Sequence, residues 1–192
     1  MLIGPCSNSV LANGVRALTL PSVSYSSVAG SLGVVWHQAQ TGWPCATLAT
    51  TPYPSSDIYY SHTDGASWLA PVGIATTANN DEYMPSVTAD DTGLFAIPYY
   101  KNDVANNRYF TEFWTLRTAT GAVAIENHWL YPLSSDPYGY NTIYPNFIGD
   151  YQGVTNMVHQ DQGRREYWPA WVRINSSQNP PRGDIWITDV LP

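Results

Sequence analysis

Residues 84–97 read Met-Pro-Ser-Val-Thr-Ala-Asp-Asp-Thr-Gly-Leu-Phe-Ala-Ile, which is a strand-like segment, a turn rich in Asp and Gly, and an apolar strand-like segment. A related pattern runs from Leu20-Pro21-Ser22-Val23 to Gly33-Val34-Val35-Trp36, and Tyr144-Pro145-Asn146-Phe147 opens a looser third copy. The three prolines are 64 and 60 residues apart. Proline is tolerated at the first residue of a strand, where no ladder hydrogen bond has to be donated. The repeat predicts three similar units in succession along the chain.

The rest of the sequence is typical of short strands separated by turns. Fifteen prolines and fourteen glycines interrupt runs rich in Val, Ile, Tyr, Trp and Phe, and such runs favour strands. The predicted strands are Ser22–Tyr25, Leu32–His37, Asp57–His62, Ser86–Ala89, Leu94–Tyr100, Arg108–Arg117, Ala122–Trp129, Asn146–Ile148, Val154–His159, Tyr167–Arg173 and Asp184–Val190. The predicted turns are Ala29-Gly30-Ser31, Thr63-Asp64-Gly65, Asp90-Asp91-Thr92-Gly93, Thr120-Gly121 and Gln162-Gly163.

Each unit then holds about four strands, which is the content of one β-propeller blade. We predict an all-β chain in which residues 1–192 form a single propeller segment of about three blades, each a four-stranded antiparallel sheet. The blades are predicted at about 16–78, 79–138 and 139–192. Because each blade of a propeller covers the apolar faces of its neighbours, three blades leave two faces uncovered. The expected consequence is self-association, or a missing half of a longer chain.

Composition excludes several classes of function. The chain has 192 residues, of which 44% are hydrophobic, 14% aromatic and only 12% charged, so it is predicted to fold rather than to remain disordered. A single lysine and a net charge of −7 disfavour binding to nucleic acid or to an anionic membrane. The sequence contains no apolar run of about 20 residues and no visible export signal, so neither a membrane span nor a signal peptide is predicted.

No metal or cofactor is predicted. Cys6 and Cys45 are too few for a disulfide scaffold or a zinc site, and both one disulfide and two unpaired thiols stay open. His37 and His159 follow apolar strands and could bind a metal, but hydrogen-bonded structural histidines explain them better. Asp90 and the residues after it could suggest calcium, but a tight Asp-rich hairpin explains them more simply.

Residues 61–68, Ser-His-Thr-Asp-Gly-Ala-Ser-Trp, resemble the Asp-box (BNR repeat) of sialidase-like β-propellers, whose pattern is Ser-x-Asp-x-Gly-x-Thr-Trp. The matching positions are Ser61, Gly65, Ser67 and Trp68. Thr63 occupies the usual Asp position, and Asp64 is displaced by one. The resemblance implies a structural hairpin between the third and fourth strands of a blade, with the Trp packed beneath the turn.

Two further segments extend the resemblance. Phe147–Gly153 is similar to a Gly-Asp-Tyr-x-Gly segment near the carboxyl end of that family, and Gly183-Asp184-Ile185-Trp186 is similar to its final strand. The chain therefore resembles the carboxyl-terminal half of a bacterial exo-α-sialidase-like protein. The resemblance implies a six-bladed ring, a location outside the cell or in the periplasm, and glycans as ligands.

Catalytic sialidases of this family hold the substrate carboxylate with three arginines, use a Tyr activated by a Glu as nucleophile, and use an Asp as acid and base. Guanidinium groups suit this task because they bind carboxylates bidentately. The family's Phe-Arg-Ile-Pro motif, which carries the first arginine, does not occur in this sequence. Arg108, Arg117 and Arg173, in or beside predicted strands, remain candidates for a reduced arginine cluster.

The acidic candidates are few. Asp150 and Tyr151 lie between two glycines that would permit a bulge aimed at a central channel, although a turn cap and interblade packing are the alternative. Glu112 lies in a strand rich in aromatic residues, where burial would raise its pKa and make it an acid. The favoured alternative is an exposed carboxylate on an outer strand.

Aromatic side chains suggest glycan binding without catalysis, because flat rings can stack on sugar faces. Tyr99, Arg108 and His37 are the candidate ligand contacts, while most Trp and Tyr are expected to fill the space between blades. The leading hypothesis is a non-catalytic or degenerate sialidase-like propeller that binds carbohydrate or protein outside the cell. The alternative is an exo-acting glycoside hydrolase of sialidase type, completed by a missing amino-terminal half or a second copy.

Overall fold

The computed structural model describes residues 20–39, 56–63, 65–77, 80–102, 110–130, 152–159, 163–175 and 182–192. These residues form only β-structure, in three antiparallel sheets. The strands are β1 Ser22–Ser26, β2 Ser31–Ala39, β3 Ser56–His62, β4 Val72–Ala75, β5 Glu82–Tyr83, β6 Thr88–Ala89, β7 Leu94–Asn102, β8 Phe110–Thr118, β9 Val123–Trp129, β10 Gly153–His159, β11 Arg164–Asn175 and β12 Arg182–Ile187. Within the described ranges, no helix is long and apolar enough to cross a membrane.

The first sheet is a simple antiparallel meander in the order β1-β2-β3-β4. Its register pairs Val23 with Val34 and Val35 with Tyr60. The third sheet has the order β10-β11-β12, and an isolated bridge between Tyr167 and Val190 continues the pairing beyond β12. Sequential neighbours therefore pair throughout, as in propeller blades.

The second sheet also has four strand positions, although one of them is interrupted. β5 and β6 both pair with β7, followed by β8 and β9. Between β5 and β6, Ser86 N donates to Pro98 O at 3.1 Å. Residues 82–89 therefore run along one edge of β7. The interruption lies at Met84, which has φ 51°. A non-glycine residue in this region is strained, so its surroundings must hold it there.

The first strands of the three sheets lie side by side. Val87 N donates to Ser22 Oγ at 3.2 Å, and Ala89 N donates to Ser24 Oγ at 2.9 Å. From the third sheet, Asn156 Nδ2 donates to Ala89 O at 2.6 Å. Adjacent inner strands are the arrangement of blades around a propeller axis. The structure thereby confirms the predicted fold class, an all-β propeller-type segment of about three blades.

The core consists of two apolar layers, one on each face of the second sheet. Ile58, Tyr60, Phe95 and Ile97 are buried between the first and second sheets. Between the second and third sheets the buried residues are Tyr83, Met84, Tyr100, Phe110, Trp171 and Ile174 in one cluster and Ala96, Trp114, Leu116 and Tyr167 in another. The second sheet is therefore covered on both faces.

Gly33 permits a close approach between the first two sheets. A Cβ atom there would lie 2.7 Å from Phe95 Cε1 and 2.9 Å from Tyr60 Cε2. Such distances are inside van der Waals contact, so only glycine fits without displacing two buried rings.

The outer faces of the first and third sheets are apolar and exposed. Ser22 and Ser24 contact β6, whereas Val23 and Tyr25, which alternate with them, are exposed. In β12, Trp186 packs on the core, whereas Ile185 and Ile187 are exposed. Side chains alternate between the two faces of a strand, so these residues belong to the faces directed away from the second sheet.

The sequence predicted most strands but not all of them. β5 was not predicted because two residues carry no periodicity, and β6 comprises only Thr88–Ala89 of the predicted strand Ser86–Ala89. The predicted strand Asn146–Ile148 and both cysteines lie outside the described residues. The five predicted turn glycines, Gly30, Gly65, Gly93, Gly121 and Gly163, all have positive φ, which confirms the turn predictions.

Candidate functional site

Three aromatic side chains form a row across the second sheet, at the end where β5 lies. Tyr99 on β7 pairs with Phe113 on β8, and Phe113 pairs with Trp129 on β9. Directly opposed residues share a face of the sheet, and both pairs of ring centroids are 6.0 Å apart. Tyr99 is fully buried, Phe113 is half-buried, and Trp129 is 63% exposed. We call these three residues the aromatic row.

A polar cluster adjoins the aromatic row, consisting of Thr77, Glu82 and Lys101. Lys101 Nζ lies 3.2 Å from Glu82 Oε1 and donates to Thr77 Oγ1 at 2.5 Å. The same ammonium lies 5.5 Å from the centroid of the Phe113 ring. Burial raises the pKa of Glu82, and the hydrogen bond from Thr77 and the charge of Lys101 oppose the rise.

A buried hydrogen-bond network holds the polar cluster in place. The carboxylate of Asp81 accepts from Ser56 N at 3.2 Å and from Asn102 Nδ2 at 2.8 Å. Ser56 Oγ donates to Glu82 O at 2.8 Å, and Asn80 Nδ2 donates to Asn102 O at 3.1 Å. Buried polar groups need such partners, and here they fasten β5 to both β3 and β7.

His37 is completely buried and supports the strained peptide of Met84. Its Nδ1 accepts from Met84 N at 3.2 Å. From the third unit, Gln152 Nε2 donates to Pro98 O at 2.9 Å and also to Met84 O. Burial lowers the pKa of His37 to about 4, so the imidazole is neutral at neutral pH. The structure therefore shows a structural histidine, with no solvent contact through which it could meet a ligand.

Glu112 is buried between the second and third sheets, with an exposure of 2%. The alternative of an exposed carboxylate is wrong, because the third sheet covers this face of β8. Burial raises the pKa of Glu112 well above its ordinary value, which confirms the predicted direction. Within the described part of the chain, neither carboxyl oxygen has a hydrogen-bond partner. The hydroxyl of neighbouring Tyr83 has none there either.

The buried carboxyls of Glu82 on β5 and Glu112 on β8 do not face each other. Glu112 is paired with Tyr100, whereas Glu82 is paired with Lys101, the next residue of β7. Successive residues of a strand point to opposite faces. A glycosidase needs two carboxyls on either side of one bond, and these two do not provide that arrangement.

The other predicted site residues are dispersed or lie outside the described residues. The Arg173 guanidinium lies 4.6 Å from the Trp186 ring, while Tyr99 is packed against Phe113. Asp150, Tyr151 and Arg108 lie outside the described residues, and their predicted roles stay predictions. The described ranges contain no group of three or more His, Cys, Asp and Glu side chains that could hold a metal ion.

The segment that resembles an Asp-box forms a hairpin between β3 and β4. Leu69 N donates to His62 O at 2.9 Å, and Ser61 Oγ donates to Leu69 O at 2.7 Å. Thr63 Oγ1 accepts from Leu32 N at 3.0 Å, which gives the residue in the usual Asp position a bonding role. Trp68 is 53% exposed, so the expectation that it packs beneath the turn is wrong. Ser67 is exposed, and Asp64 lies outside the described residues.

Sequence reasoning missed Trp129 and Lys101 as site residues. The sequence predicts Trp129 only as the last residue of a strand. Its exposure depends on where that outer strand ends in the fold, which the sequence does not show. The one available signal was that Lys101 is the only lysine in the chain.

Comparisons with known proteins show only limited structural similarity. No protein-family model matches the chain, and no match is found among curated proteins. Among solved structures, the chain is similar to an α-L-arabinanase of Penicillium chrysogenum complexed with arabinobiose, with 13% identity, a TM-score of 0.43, and coverage of 90% of this chain and 58% of that one. It is also similar to the GH93 α-L-arabinofuranosidase of Fusarium graminearum with arabinobiose, with 10% identity, a TM-score of 0.42, and coverage of 89% and 57%. The chain thus spans less than two thirds of either matched chain.

Proposed function

We propose that the chain is a sialidase-like propeller segment that binds carbohydrate outside the cell, with the exposed end of the aromatic row, Trp129 and the half-buried Phe113, as its contact surface. The observation that carries the proposal is the indole of Trp129, which is 63% exposed and packs edge-to-face on the half-buried Phe113 ring. A Trp side chain presents a large flat apolar face at little cost in conformational entropy. A sugar ring can stack on such a face.

The polar cluster supplies the hydrogen bonds that a sugar needs. The Lys101 ammonium lies beside Phe113 and is fixed by its bond to Thr77, and an ammonium can donate to hydroxyl groups. Ligand sites combine apolar and aromatic walls with a few fixed polar groups. The buried network around Asp81 keeps these groups in position before any ligand arrives, which reduces the entropy lost on binding.

The alternative, an exo-acting glycoside hydrolase, is favoured by Glu112. A carboxyl with a raised pKa suits a general acid, but a general acid must reach the proton acceptor of its substrate. Glu112 is covered by the third sheet, and Glu82 lies on the other face of the second sheet. Carbohydrate binding without catalysis is therefore the better supported function.

The test is a glycan-binding titration of Trp129→Ala, with Trp68→Ala as the matched control. Both indoles are exposed, but Trp68 belongs to the hairpin at the opposite end of the blades. We expect Trp129→Ala to weaken binding about tenfold or more, which is about 1.4 kcal/mol, and Trp68→Ala to leave it unchanged. Calorimetry with neutral and acidic oligosaccharides measures this. An equal loss in both variants, or no binding of any glycan, would contradict the proposal, and release of a sugar product during the titration would favour the hydrolase.

A further inference from the structure

The charge of Lys101 is already neutralised within the polar cluster. Its ammonium forms an ion pair with Glu82, whose carboxyl is fully buried. An ammonium has three N–H donors, of which Thr77 Oγ1 takes one and Glu82 faces another. One N–H of Lys101 is left to donate to a ligand, but its positive charge is already compensated by Glu82.

The arginines whose side chains the structure describes are engaged elsewhere. Each of them has a charged, carbonyl or aromatic partner of its own. Arg117 donates to Ile74 O at 3.0 Å, Arg164 pairs with Glu166, Arg165 Nε lies 2.8 Å from Asp91 Oδ1, and Arg173 lies over Trp186. Recognition of a carboxylate or sulfate sugar calls for a cation that is available to it, and the described residues offer none at the aromatic row.

From this charge distribution we infer that the carbohydrate bound at the aromatic row is a neutral one, without carboxylate or sulfate groups. The inference rests on the proposed function and narrows its ligand class. An acidic sugar at Lys101 would also approach the Glu82 carboxyl, and would do so in the field of a chain with net charge −7. A neutral sugar needs only the indole face and the remaining Lys101 donor.

The test is an array of oligosaccharide pairs, each made of a neutral member and an acidic counterpart. Lactose with sialyllactose and galactose oligomers with galacturonic acid oligomers are two such pairs. We expect the neutral member to be retained at least tenfold more strongly, with little dependence on salt. Tighter binding of the acidic members, weakened by salt, would overturn the inference and leave carbohydrate binding intact. Binding of no pair would overturn both proposals together.

A second variant tests whether the ion pair between Lys101 and Glu82 causes the preference for neutral sugars. Glu82→Gln removes the buried carboxylate and leaves the charge of Lys101 uncompensated. We expect the preference for neutral members to fall or reverse in this variant, while thermal unfolding reports whether it remains folded. An unchanged preference in folded Glu82→Gln would contradict the role assigned to the ion pair. The preference of the unmodified protein tests the inference independently of this variant.

Discussion

At the scale of single residues, burial favours the uncharged form of two side chains. Burial raises the pKa of Glu112 and lowers the pKa of His37, because in both cases it disfavours the charged form. The aromatic-rich strand indicated the direction for Glu112, but the burial that causes both shifts does not follow from the neighbouring sequence. Glu112 lies under the third sheet and His37 lies under Met84, so both depend on contacts that are distant along the chain.

His37 makes stability depend on pH in a defined window. Its pKa is about 4 in the fold and 6.5 when exposed, so below about pH 6.5 the unfolded chain takes up a proton that the folded chain does not. Stability is therefore lost as the pH falls from 6.5 towards 4, by about 1.4 kcal/mol per pH unit and by roughly 3 kcal/mol in total. We expect His37→Asn, which keeps an acceptor for Met84 N, to flatten this dependence in denaturant unfolding at several pH values.

The control is His128→Asn, at an exposed histidine of β9. We expect its unfolding curve to follow that of the unmodified protein across the window. If His37→Asn keeps the same slope as His128→Asn, then His37 is not the group that titrates.

At the scale of elements, the turn between β6 and β7 joins two sheets through one carboxylate. Asp90 Oδ1 accepts from Thr92 N at 2.8 Å and Leu94 N at 2.9 Å, and Asp90 Oδ2 accepts from Tyr167 OH at 2.7 Å. Burial alone would raise the pKa of Asp90, but these hydrogen bonds outweigh it, and the pKa is lowered. These hydrogen bonds explain why the segment forms a tight hairpin. The same carboxylate also fixes the third sheet to the second.

We expect Asp90→Asn to destabilise the fold by about 1–3 kcal/mol at neutral pH, because buried donors lose a charged acceptor. A lowered pKa means that this contribution is present above about pH 4, the ordinary value for Asp, and is lost as the pH falls further. The difference from the unmodified protein should therefore shrink in acid, which unfolding at neutral and acidic pH measures.

The matched control for Asp90 is its neighbour. Asp91 is exposed and pairs with Arg165, and exposed ion pairs contribute about 0–1 kcal/mol. Asp91→Asn should therefore change stability by less than Asp90→Asn. Equal effects of the two substitutions would show that the buried bond from Tyr167 is not what holds the sheets together.

At the scale of the whole molecule, two of the sheets expose apolar faces. Each face is the one that a further blade would cover, and soluble proteins rarely leave large apolar patches open. We expect the 192-residue chain to self-associate, and Ile185→Lys or Tyr25→Lys to reduce the association. Light scattering measures the change in mass.

The control for association is Trp68→Lys, which removes an exposed apolar side chain that belongs to the hairpin rather than to a sheet face. It should leave the association unchanged. A monodisperse monomer that unfolds cooperatively would contradict the prediction for the chain itself.

The sequence alone determined the local features of this protein: its all-β class, the three units, the positions of most strands and the five turn glycines. These depend on residues close together in the chain, such as the apolar run of β2 or the backbone freedom of Gly93, and such local preferences leave a recognisable pattern in the sequence. The resemblance to an Asp-box likewise located the hairpin between β3 and β4.

The tertiary structure decided the environment of each side chain. Glu112 is buried because the third sheet covers β8, Trp129 is exposed because no described strand lies beyond β9, and Lys101 is neutralised because β5 brings Glu82 beside it. Burial, exposure and charge pairing are set by residues far apart in the chain, which a single sequence does not bring together. The candidate site of this protein therefore emerged from the packing of the sheets rather than from any motif.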